Sequence, residues 1–87
     1  MSFEGDDRSL VYRVNGKSFR VYHWVYEDRP TRVCVYLVDD DEFLIEDLLE
    51  WRGVVGRSSP ALMKSLGVFH EVVALLQEIT GVEGTEL

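Results

Sequence analysis

Asn15-Gly16, set between two segments of alternating apolar and polar residues, is the feature that most restricts this chain. A two-residue type I′ turn needs positive φ at both central positions, and Asn-Gly is the pair that adopts it most readily. The segment Leu10–Val14 therefore pairs with Ser18–Tyr26, setting Val14 opposite Lys17, Tyr12 opposite Phe19 and Leu10 opposite Val21. Pro30 cannot donate to a strand ladder, so Glu27–Thr31 reads as a second turn and Arg32–Val38 as a third strand. A three-residue loop over 28–30 would align Val25 with Val33, His23 with Val35 and Val21 with Leu37.

This arrangement separates two faces. One holds Leu10, Tyr12, Val14, Phe19, Val21, Val25, Val33, Val35 and Leu37, with His23 among them, and reads as a core face. The other holds Val11, Arg13, Ser18, Arg20, Tyr22, Trp24, Tyr26, Arg32, Cys34, Tyr36 and Val38. No acid falls on this second face in a three-stranded sheet.

Downstream the pattern turns helical. Asp39–Glu42 offers an N-cap and first-turn acids that complement a helix dipole. Phe43, Leu44, Ile45, Leu48, Leu49 and Trp51 supply an apolar stripe, and Gly53 a C-terminal stop. A second helix begins at Ser59-Pro60, carries Leu62, Leu66, Phe69, Val73 and Leu76 at 4-3-4-3 spacing, and closes at Gly81. Gly67 is its weak point, where it could bend or break. Val54-Val55 is an alternative short strand. The expected architecture is α+β, a three-stranded antiparallel meander packed on one face by two C-terminal helices, β-β-β-α-α. The 87 residues make one domain, with 1–8 and 81–87 as flexible ends.

Charge follows the same division. Residues 8–37 balance to +4 and residues 38–87 to −8, within a net charge of −7. An acidic chain is a poor non-specific ligand for nucleic acid, although one basic face can still bind it. One cysteine, Cys34, excludes an internal disulfide and fits a reducing compartment, so a cytoplasmic location is expected. The acidic start lacks the basic and apolar regions of a signal peptide, and no apolar run is long enough for a membrane helix.

The chemistry-bearing residues are dispersed. Two histidines and one cysteine do not form a metal site. Cys34 and His23 lie on adjacent strands but point to opposite faces, so they cannot form a nucleophile–base pair. The loop Gly53–Pro60 precedes a helix N-terminus and could hold an anion, but it matches neither the P-loop nor the dinucleotide pattern. An inter-helix connection accounts for the same residues. No cofactor, metal or reaction is expected.

Binding remains. Tyr, Trp and Arg are the types enriched at interface hot spots, so Arg13, Arg20, Tyr22, Trp24, Tyr26, Arg32 and Tyr36 form the candidate surface for a protein partner. The competing reading is exposed sheet filler, since aromatics favour strands anyway. The same face could instead stack single-stranded bases and neutralise phosphates. Glu42, Glu46 and Glu50, one above the other on the first expected helix, form a second, acidic surface. In size and acidity, though not in motif, the chain is similar to small phage-made inhibitors that mimic nucleic acid to block host enzymes and defence systems. A second copy, its acidic helix laid on the basic face, would be a homo-oligomeric alternative. The expected function is non-enzymatic binding, as an inhibitor or adaptor.

Overall fold

The computed structural model describes residues 6–82, and those near the ends, 1–5 and 83–87, lie outside it. The chain runs β1 (Asp6–Val14), β2 (Lys17–Val25), β3 (Arg32–Val38), β4 (Leu44–Arg52), β5 (Val55–Ser58), α1 (Pro60–Ser65) and α2 (Phe69–Thr80). The strands form one antiparallel sheet in the order β1-β2-β3-β4-β5. The α+β class is as expected; the three-stranded meander with two full helices is not, because the sheet has five strands.

The first hairpin forms in the expected register. Val14 pairs with Lys17, Tyr12 with Phe19 and Leu10 with Val21. Asn15 and Gly16 sit at φ 52° and 73°, the positive values a type I′ turn requires. The second hairpin slips by two residues. Phe19 pairs with Leu37, Val21 with Val35, His23 with Val33 and Trp24 with Arg32. A slip of two keeps every side chain on its expected face, since strand side chains alternate with period two.

The largest correction concerns residues 39–52. Asp39 caps a turn rather than a helix: its Oδ1 accepts from the backbone N–H of Asp41 and of Phe43, each at 2.9 Å. Glu42 takes φ 65°, and the chain returns as β4 along the outer edge of β3. Two irregularities, at Val35/Tyr36 and Leu37/Val38, let both Leu48 and Leu49 reach the interior. Those bulges erase the strict alternation that marks a strand and leave an apolar spacing compatible with a helix. Pairing wins because it satisfies the backbone of β3 while sending Leu49 and Trp51 inward and Asp47 and Glu50 toward the arginines. Gly53 then falls in the β4–β5 turn, where Arg52 N–H donates to Val54 O at 2.9 Å. Of the short strand weighed at Val54-Val55, Val54 falls in the turn and Val55 opens β5, which runs on to Ser58.

The C-terminal helix breaks at Gly67. Gly67 has φ 73°, its N–H donates to Lys64 O, and α2 begins two residues later. Asn15 Nδ2 donates to Gly67 O at 2.7 Å, tying the first hairpin turn to the helix break. A Cβ at position 67 would lie 2.5 Å from that nitrogen. Gly67→Ala is expected to cost about 2 kcal/mol, from left-handed strain and the displaced hydrogen bond. A urea midpoint equal to wild type would contradict this.

Both helices cover the apolar face. Phe19, Val21, Val33, Val35, Leu48, Leu49 and Trp51 of the sheet pack with Met63, Val68, Val72, Leu75 and Leu76. Phe69, Ile79, Tyr12 and Leu37 close the margin of this core. Among the described residues the opposite face of the sheet has no helix over it.

Candidate functional site

The uncovered face is organised by cross-strand pairs. On β2, Tyr22 and Trp24 point the same way two residues apart, and their rings stack at 5.8 Å with planes 9° from parallel. Tyr36 on β3 meets Tyr22 edge-on at 5.8 Å. The Arg32 guanidinium lies 4.6 Å from the Trp24 ring centre, and that of Arg20 lies 5.7 Å from the Tyr22 ring. Arg29, in the β2–β3 loop, lies 4.5 Å from the Tyr26 ring. Large side chains in this arrangement bury each other along the strands, which is why Cys34 is 1% exposed on a face with no helix above it.

Acids join this face from β4. Glu50 Oε2 accepts from Arg32 Nη2 at 2.9 Å and from Arg52 Nη2 at 3.2 Å, and Arg57 Nη2 stands 3.7 Å from its other oxygen. Arg57 also pairs with Asp47 at 3.2 Å. Arg20 is ion-paired with Glu42 of the β3–β4 turn and donates to Ser9 Oγ at 3.0 Å. Hydrogen bonding from Arg32 is the largest influence on Glu50 and, with Arg52 adding to it against a smaller desolvation cost, holds its carboxyl below the usual glutamate range. The same bond raises Arg32.

A group whose folded pKa is depressed stabilises the fold above its unfolded value, and that contribution disappears as pH falls through the folded value. The Glu50 network should therefore weaken as pH drops below about 4. Glu50→Gln should flatten the decline of thermal stability over that acid range. A decline as steep as wild type would show that other carboxylates carry it.

The thiol of Cys34 is pushed up, mainly by burial, and donates to Glu50 Oε2 at 3.9 Å. Tyr36 is pushed up to about 12, again mainly by burial, with hydrogen bonding to Cys34 second. Both therefore stay protonated near neutrality. Cys34 pairs with Tyr22, and His23 with Val33 on the other face, so thiol and imidazole are separated by the sheet. Among the described residues no group of three or more His, Cys, Asp or Glu is placed to hold a metal ion.

Of the residues expected to bind a partner, the fold gathers Arg20, Tyr22, Trp24, Arg32, Tyr36 and Glu50. Arg13 stands at the far margin, exposed, 3.9 Å from Asp40. Tyr26 sits just beyond β2 against Arg29. The acidic helix surface is not formed. Glu42 lies in a turn, Glu46 pairs with Leu37, and Glu50 is the hub of the arginine network. The three carboxylates make no line along a helix, so the acidic helix expected to carry the nucleic-acid mimic and the head-to-tail copy is replaced by a turn and a strand. The loop Gly53–Pro60 also loses its anion-site geometry, because 55–58 is a strand and α1 has six residues.

Two features were not anticipated. Leu44 and Val38 join Arg20, Tyr22, Tyr36 and Glu42 around a cleft of about 270 Å³. Beside it Phe43, Leu44 and Ile45 are 70%, 64% and 56% exposed, although the helix reading had buried them. Arg52 and Arg57, read as a helix end and a loop, are brought onto the face by β4 and β5. Their only sequence signal is strand alternation interrupted by the bulges.

No protein-family model, curated protein or solved structure matches the chain. Fold and site geometry are thus the whole basis for function. Among the described residues no helix is long and apolar enough to cross a membrane.

Proposed function

We propose that the chain is a non-enzymatic docking module, an inhibitor or adaptor, whose partner is a protein that covers the open sheet face. The carrying observation is the exposed apolar run Phe43-Leu44-Ile45, held beside a cleft walled by Tyr22, Tyr36 and Val38. Exposed apolar side chains beside polar groups mark interaction sites, and here Leu44 shares its cleft with Arg20, Tyr22 and Tyr36, of the types enriched at interface hot spots. The Arg20–Glu42 ion pair supplies a polar rim to this cleft.

The ring geometry favours protein over single-stranded nucleic acid. Base stacking needs free aromatic faces. Tyr22 and Trp24 stack on each other, and Trp24 also has the Arg32 guanidinium against its ring. The buried, reduced-form cysteine fits a cytoplasmic setting.

The test is capture on immobilised protein using wild type, two open-face variants (Trp24→Ala and Leu44→Ser) and a helix control, Glu71→Ala. A protein retained by wild type and the control but lost from both open-face variants supports the proposal. Equal retention by all four contradicts it, as does saturable binding to single-stranded oligonucleotides that depends on Trp24.

A further inference from the structure

We infer that the arginine-rich end of the open face binds a phosphoryl group in a pocket formed by Tyr26, Arg29, Pro30, Arg32 and Arg52. The pocket has a volume of about 210 Å³ and sits where the β2–β3 loop passes the Arg32–Arg52 cross-strand pair. Three of its five lining residues are arginines and none is acidic, in a chain whose net charge is −7.

Two like charges placed directly opposite each other across a ladder normally repel. Here Arg32 faces Arg52 and one carboxylate serves both. Glu50 Oε2 engages a single Nη2 of each, and the same carboxylate is also approached by Arg57. A guanidinium carries five N–H donors in a planar fork, so one shared carboxylate leaves most of the donor capacity of the pair unspent. Arg32 Nε is buried without a hydrogen-bond partner among the described residues, a further sign of an under-satisfied cation. Arg29 is paired with Asp28 at 3.5 Å and packs on Tyr26, which holds its charge at the mouth of the pocket.

An oxyanion with several acceptor oxygens is the complement of clustered guanidinium forks, and a phosphate monoester brings close to two negative charges at neutral pH. Tyr26 and Pro30 give the pocket flat apolar walls, so the phosphoryl group is expected to arrive on a ring-bearing carrier. This inference does not rest on the docking proposal. A phosphate can occupy the pocket with nothing on Leu44, and a protein can dock at Leu44 with the pocket empty.

The experiment is an NMR titration of the full chain with phenyl phosphate and, separately, adenosine monophosphate, at physiological salt. Amide shifts of Tyr26, Arg29, Arg32 and Arg52 and the indole signal of Trp24 report occupancy. Saturable shifts confined to these residues are expected, with a Kd of about 1 mM or tighter for at least one probe. Arg52→Gln removes an exposed side chain and should weaken that binding about tenfold, while Glu71→Gln on α2 leaves it unchanged. Arg29→Gln is the second variant and should also weaken it. The absence of saturation with both probes would overturn the inference, as would binding indifferent to Arg52 and Arg29. The ratio of the two affinities reports which carrier suits Tyr26 and Pro30 better.

Discussion

Trp51→Ala is expected to lose about 3–5 kcal/mol of stability, the usual cost of emptying a buried aromatic site. Trp51 is 5% exposed, pairs with Val33 and Val55, and belongs to the core under the helices. A chain of this length has about 4–13 kcal/mol in total, so the variant should be partly or wholly unfolded at room temperature. Circular dichroism and a urea titration are the checks. A stable variant with only a small shift of midpoint would mean that β4 does not deliver Trp51 to the interior. The sheet would then be narrower than five strands.

The other tryptophan should behave in the opposite way. Trp24→Ala removes a ring that packs on Tyr22 and Arg32 but lies on the face with no helix over it. The lost stacking and cation–π contacts cost about 1–2 kcal/mol together, small enough to leave the domain folded. Binding to a protein partner should fall by about 2 kcal/mol or more, roughly thirtyfold in Kd, as for a central aromatic anchor. Titration calorimetry against the captured partner reads this directly. A folded variant with unchanged affinity would leave the aromatic stack as sheet filler.

The contrast between the two tryptophans also shows where the sequence was informative. Trp24 sits in a clean period-two segment beside an Asn-Gly turn, and its face follows from alternation alone. The β2–β3 register was off by two residues, which changed the partners of Tyr22 and His23 but not their faces. Trp51 sits in a segment where Leu48 and Leu49 are adjacent and both buried. That spacing suits a helix stripe as well as a bulged strand, and Asp39 can cap either a helix or a turn. Local pattern could not decide between them. The available edge of β3 and the arginines waiting for Glu50 and Asp47 are tertiary facts, and they decide it.

The same ambiguity hid half of the site. Reading 39–52 as a helix removed Glu50, Asp47 and Arg52 from the sheet face and turned Phe43, Leu44 and Ile45 into core residues. Placed as a strand, the segment neutralises part of the basic face and leaves the apolar run exposed at its end. The candidate surface is therefore a mixed one, with an apolar cleft at the Leu44 end and arginines at the Arg52 end. Across β3, seven residues separate these ends, roughly 20 Å along an extended strand.

Hydroxyl-radical footprinting of the chain, alone and bound to its captured partner, tests the central claim most directly. The docking account predicts protection at Tyr22, Trp24, Tyr36, Phe43 and Leu44 and unchanged reactivity at Phe69 and Ile79. Protection confined to Phe69 and Ile79, with the open face still reactive in the complex, would contradict it.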